Sequence, residues 1–170
     1  MRNTQNGYSK CTTPVVTDGE YALYLRKSRA DIQAEARGEG ETLARHERVL
    51  IELARSYKCS IGKIYREIVS GESIEARPVV QELLNDVLNC RWKGVFVVEV
   101  ERLARGDTKD QGRIAECFKF SNTKIITPMK TYDPNNEFDE EYFEFGLFMS
   151  RREYKIINRR LQNRKSSICQ

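Results

Sequence analysis

Gly94 opens an uninterrupted apolar run, Val95-Phe96-Val97-Val98. A strand with no polar side has no face to give to water. It belongs in the middle of a sheet covered on both sides, the place of a central parallel strand. Parallel neighbours need crossover connections, and these are usually helices. The rest of the chain supplies them. Glu20 to Arg26 reads as a strand, with Tyr21, Leu23 and Leu25 alternating with Ala22 and Tyr24. Thr42 to Tyr57 places Leu43, Leu50, Leu53, Ala54 and Tyr57 on one helical face, and Ile61 to Val69 is a second strand. Pro78 can begin a helix, because its missing N–H would be unpaired there anyway. That helix runs to about Asn89 with Val79, Leu83, Leu84, Val87 and Leu88 inward. A further helix over about Thr108 to Phe120 and a strand from Lys124 to Pro128 follow. Two stretches lack a period. Lys27 to Glu41, charged and holding Gly38 and Gly40, reads as a mobile loop with room for a loose helical turn, and 129–139 reads as a polar loop. The alternation of strand and helix predicts an α/β fold with a mostly parallel central sheet, flanking helices and a long C-terminal helix.

Residues 1–19 are polar and aperiodic and read as a flexible leader; 20–139 form the α/β core; 140–170 form the long helix. In that helix Phe143, Leu147, Ser150, Tyr154, Ile157 and Leu161 follow one another at spacings of 4, 3, 4, 3 and 4. This heptad-like seam is longer than a domain of this size needs for itself. Its second half is basic, with Arg151, Arg152, Lys155, Arg159, Arg160, Arg164 and Lys165 against one acid, Glu153. A solvated terminal helix and a helix that packs on a partner and then meets a phosphate backbone both fit this pattern.

The net charge of +4 is too small to prove nucleic-acid binding by itself. The five cysteines are odd in number and form no C-x-x-C pair, which predicts reduced thiols in a cytoplasmic protein. No stretch approaches the ~20 apolar residues of a membrane span, and no export signal opens the chain.

Ligands of open parallel sheets bind beyond the carboxyl ends of the strands. Tyr24-Leu25-Arg26-Lys27-Ser28 ends the first strand, Arg77 follows the second, and Glu101, Arg102 and Arg105 follow the third. A hydroxyl ringed by guanidinium groups suits attack on a phosphate. The cations lower the cost of an alkoxide and bind the more negative transition state better than the ground state. Arginine serves this better than lysine, because its fork holds two phosphate oxygens at once. Glu101 is the carboxylate candidate for proton traffic.

Three separated segments then resemble, in the right order, the catalytic domain of serine recombinases. They are Tyr24-Leu25-Arg26-Lys27-Ser28, the stretch from Val69-Ser70-Gly71 to Arg77-Pro78, and Glu101-Arg102-Leu103-Ala104-Arg105. The resemblance covers about residues 20–170 and is nearest to the N-terminal catalytic domain of the large recombinases and integrases of phages and transposons. It implies that Ser28 attacks a DNA phosphate and becomes joined to the 5′ phosphate. Arg26, Arg77, Glu101, Arg102 and Arg105 would complete the site, with Tyr24 and His46 in support. It implies Arg152, Lys155, Arg159, Arg160, Arg164 and Lys165 as DNA contacts, and double-stranded attachment sites as substrate. It also implies a homodimer on each site and a homotetramer in the synapse. No metal, cofactor or membrane is implied. Two positions depart from the family pattern: Glu101 stands where Asp is usual, and His46 where Gln is frequent. Two other readings compete. One is a non-enzymatic DNA-binding or dimerisation module with a degenerate site. The other is a serine hydrolase using Ser28 and His46, which lacks the G-x-S-x-G elbow such a site would need.

Overall fold

The computed structural model describes residues 20–38, 43–69, 73–103 and 108–142. The elements are β1 (Tyr21–Lys27), α1 (Arg29–Ala36), α2 (Leu43–Ser56), β2 (Ile61–Ile68), α3 (Pro78–Leu88), β3 (Gly94–Phe96), α4 (Thr108–Ser121), β4 (Lys124–Ile126) and β5 (Thr131–Tyr132). Short helical turns at Ile74–Ala76 and Val100–Arg102 lie in the loops after β2 and β3. The sheet order is β2-β1-β3-β4-β5. The first four strands are parallel and β5 returns antiparallel along the edge. From β1 the chain winds outward to β2, then crosses back to β3 and β4. The strand order therefore reverses between β1 and β3, the switch point at which open parallel sheets bind ligands.

The period of two along β1 divides the core. Ala22 and Tyr24 face a layer made with Val80, Leu83, Leu84 and Val87 of α3 and Ile114 and Phe118 of α4. Leu23 and Leu25 face the opposite layer, with Leu50 and Ala54 of α2. Each fully buried side chain of this kind contributes roughly 1.5–3 kcal/mol. Gly94 can start β3 because its backbone runs close to its neighbours. A Cβ there would meet the Tyr21 ring at 3.0 Å and Ile126 Cδ1 at 3.1 Å.

Helices α2, α3 and α4 end alike. Lys58, Cys90 and Asn122 take φ of 54°, 56° and 53°. The next residue's N–H in each case reaches back five positions, from Cys59 to Ala54, Arg91 to Asp86 and Thr123 to Phe118. These are Schellman stops without glycine, and each delivers the chain to the following strand.

Several expectations need correction. The stretch after β1 is not a loop: α1 forms there, begun by a capping box between Ser28 and Asp31. The loop over 129–139 contains β5, reached through a tight turn in which Thr127 N–H donates to Lys130 O at 2.9 Å. Its two residues are too short a strand to show a period. Tyr57 and Leu88 are exposed, and Val80 is buried in α3 instead. Both misplaced residues stand at or just beyond the last residue of their helix, where the chain turns away from the core. Cys59 and Cys117 are free thiols, as expected. Residues 137–142 are helical, and the seam and basic stripe beyond them lie outside the described residues. Among the described residues no helix is long and apolar enough to cross a membrane.

Candidate active site at the carboxyl end of the sheet

Two clusters form where the chain leaves β1, β2 and β3. The first is closed. Arg77, the residue before Pro78 of α3, has no exposed surface. Its Nε donates to Glu67 Oε2 at 3.2 Å, Nη1 to Leu103 O at 2.9 Å, and Nη2 to Tyr24 Oη at 2.5 Å and Arg102 O at 2.9 Å. Glu67, itself 1% exposed, also accepts from the Tyr24 hydroxyl and from the N–H groups of Val79 and Val80 at the start of α3. A buried carboxylate at a helix N-terminus beside a buried guanidinium satisfies both charges. Burial pushes the Tyr24 phenol up; Arg77 pulls it down and Glu67 adds to the rise, and the net shift is upward. Tyr24 is therefore a neutral hydrogen-bonding link between strands. Beside it, Ile74 N–H donates to Asp110 Oδ2 of α4 at 3.0 Å, which ties the loop after β2 to that helix.

The second cluster is open. Ser28 leaves the end of β1 in an extended conformation and caps α1. Its Oγ accepts from Asp31 N–H at 3.1 Å, and its own N–H donates to Asp31 Oδ2 at 3.0 Å. Arg102 arrives from the loop after β3, with Nη1 3.9 Å from Asp31 Oδ2 and Nε 3.6 Å from Glu99 Oε2. Burial alone would raise the Asp31 carboxyl. The hydrogen bonds from Ser28, then the charges of Arg102 and Lys27, outweigh it and hold Asp31 below the usual carboxylate range. Lys27 pairs with Glu35 one helical turn further on.

Of the residues expected at the site, Ser28 and Arg102 come together through Asp31, and Tyr24 and Arg77 come together through Glu67. Arg26 is buried at the end of β1, opposite Glu67 in the β1–β2 register. Glu101 lies on the short turn that carries Arg102, partly exposed. His46 is partly buried on α2. Arg105, Arg152, Lys155, Arg159, Arg160, Arg164 and Lys165 lie outside the described residues. Three carboxylates that relieve the repulsion among the arginines, Glu67, Asp31 and Glu99, escaped the sequence reading. Two left a signal. Ser28-x-x-Asp31 is a capping pattern, and Glu67 shares the inward parity of Tyr65 on β2, which asks for a buried cation. Among the described residues no three His, Cys, Asp or Glu side chains gather as a metal-holding group.

The site has a hydroxyl at the positive end of a helix, a carboxylate against it and a partly exposed guanidinium alongside. It can receive an anion at the switch point of the sheet. Comparison with known proteins agrees with this geometry. The family model "Resolvase, N terminal domain" matches residues 21–167. The N-terminal catalytic domain of TP901-1 integrase superposes with a TM-score of 0.58 at 17% identity, over 80% of this chain and 97% of that one. A resolvase family site-specific recombinase from Streptococcus pneumoniae gives a TM-score of 0.58 at 19% identity, over 88% of this chain and 99% of that one. The chain belongs to the resolvase family, whose N-terminal domain it matches along most of its length, and it shares the fold of both neighbours.

Proposed function

We propose that Ser28 is the nucleophile of this recombinase. Its Oγ attacks a DNA phosphodiester, a serine–phosphate bond replaces the bond to the 3′ oxygen, and the strand ends in a free 3′ hydroxyl and a 5′ phosphoserine link. Reversal of the same step on an exchanged 3′ end rejoins the strands. The observation that carries this reading is the position of Ser28. It is the first residue beyond the buried strand β1, at the switch point between β1 and β3, with Arg102 reaching its capping partner Asp31 from the β3 side.

In this reading Arg102, Arg26 and Arg105 stabilise the pentacoordinate phosphorus. A donor of that kind contributes about 10²–10³-fold in rate. Arg77 works at one remove: its two carbonyl contacts fix the backbone from which Arg102 projects. Glu101 orients the arginines and His46 donates to a flanking phosphate. No metal or cofactor takes part. The long helix over 140–170 pairs subunits and carries Arg152, Lys155, Arg159, Arg160, Arg164 and Lys165 to the backbone of the attachment site. A dimer occupies each site and a tetramer forms the synapse. The reaction runs in the cytoplasm.

The test is Ser28→Ala with DNA carrying the recombination site. DNA binding by gel shift stays within a few-fold, while the covalent protein–DNA product, seen as a protease-sensitive band, vanishes. A covalent product that survives the substitution refutes the assignment.

A further inference from the structure

We propose that the Asp31 carboxylate takes the proton from Ser28 as the serine–phosphate bond forms, and that Arg102 is parked on that carboxylate until the phosphate draws it away. The inference rests on the reading of Ser28 as nucleophile and adds the base which that reading lacks.

The capping box brings the reacting oxygen and one carboxylate face to face within a single helical turn. One lone pair of Ser28 Oγ is used by Asp31 N–H at 3.1 Å. The Ser28 backbone N–H fixes Asp31 Oδ2 at 3.0 Å. That bond uses neither the hydroxyl proton nor the other lone pair, so the proton can turn to the carboxylate held in the same turn while the lone pair is left for phosphorus. Glu101 sits on a separate element, the turn carrying Arg102, whereas Asp31 is bonded to Ser28 itself. The hydrogen bonds and cations around Asp31 keep it ionised at neutral pH, so it is ready to accept.

A carboxylate is a weak base toward an alcohol, so the transfer comes late. As the Oγ–P bond forms, the hydroxyl becomes strongly acidic and its proton passes to Asp31, while the P–O3′ bond breaks and the 3′ oxygen takes a proton from solvent. Neutral Asp31 no longer holds Arg102, whose Nη1 lies 3.9 Å from it. At that moment the phosphorane carries its greatest negative charge. Loss of one pairing and gain of the other are therefore simultaneous, and the guanidinium is delivered to the transition state.

A purely structural Asp31 would stabilise α1 and do nothing to the pH dependence of cutting. The measurement is single-turnover formation of the covalent product on a nicked suicide substrate, with the intact protein, between about pH 6 and 9. The wild type is expected to be flat across that range. Asp31→Asn keeps an oxygen acceptor for the cap; it is expected to bind DNA normally and to cut about 10²-fold or more slowly, with a rate rising roughly tenfold per pH unit. A substrate with sulfur at the bridging 3′ position needs no proton on its leaving group. It should not rescue Asp31→Asn, whereas Asp31→Glu should recover part of the rate. A wild-type rate and pH profile in Asp31→Asn overturns the proposal, as does rescue by sulfur, which would make Asp31 an acid for the leaving group. Carbon-13 carboxyl NMR of DNA-free protein supplies a readout independent of turnover. Ser28→Ala should move the Asp31 titration midpoint upward, and an unmoved midpoint also overturns the proposal. Covalent product in Ser28→Ala would instead sink the nucleophile assignment itself.

Discussion

Arg77 and Arg102 are joined by one hydrogen bond of 2.9 Å, yet they stand in opposite surroundings. Arg77 is fully enclosed, with donors committed to a carboxylate, a phenol and two carbonyls. The Arg102 side chain is 28% exposed and, among the described residues, pairs through longer contacts to Asp31 and Glu99. The difference teaches that a guanidinium's role follows from its complement of acceptors. Where acceptors are buried and complete, the residue fastens loops together. Where they are partial and face solvent, it stays available to an incoming anion.

Substitutions at the two arginines break this comparison most directly. Arg77→Ala leaves Glu67 buried and uncompensated, and should destabilise the fold by about 3–5 kcal/mol in chemical denaturation. If Arg77→Ala costs under about 1 kcal/mol, the closed cluster is not what holds the loops. Arg102→Ala should change stability by no more than about 1 kcal/mol and slow covalent product formation about 10²–10³-fold. A reversed pattern, with Arg102→Ala unfolding the protein, would erase the distinction. Asp110→Ala strips the buried Ile74 N–H of its acceptor and should cost about 1–3 kcal/mol by the same measurement. Tyr24→Phe removes one of several links to Arg77 and should cost about 1 kcal/mol.

The smallest effect sharpens the open side. Asp31 has a folded-state carboxyl below its ordinary value, so its contribution to stability is present above the unfolded pKa and is lost as pH falls through the folded one. The side chain is about half exposed, so solvent screening leaves only about a few tenths of a kcal/mol. Wild type and Asp31→Asn should differ by that amount near neutral pH and converge in denaturation curves as the pH falls below the ordinary carboxylate range.

The strands and helices with an apolar period were legible, because burial writes itself into spacing. Val95, Phe96 and Val97 are all fully buried at the centre of the sheet, as the unbroken run required. Helix α1 was not legible by that means, since it has almost no apolar stripe; its signal was the Ser28–Asp31 cap, a two-residue pattern inside a charged stretch. The stops at Lys58, Cys90 and Asn122 hid for a similar reason: left-handed residues are expected to be glycine, and these are not. At the site, the position of Ser28 followed from where β1 ends. Which arginine would be buried did not. That depends on Glu67 lying across the sheet from Arg26 and near the start of α3, a meeting of distant segments that no local pattern records.

One oxygen in this protein has two employments. Ser28 Oγ closes the first turn of α1, and the same atom is the one proposed to bind phosphorus. If Ser28 is esterified as proposed, that oxygen would accept hydrogen bonds poorly and carry a bulky anion, and α1 would lose its anchor for as long as the strand stays cut. Breakage of DNA would then reach the polypeptide as a local loosening, and resealing would restore the turn.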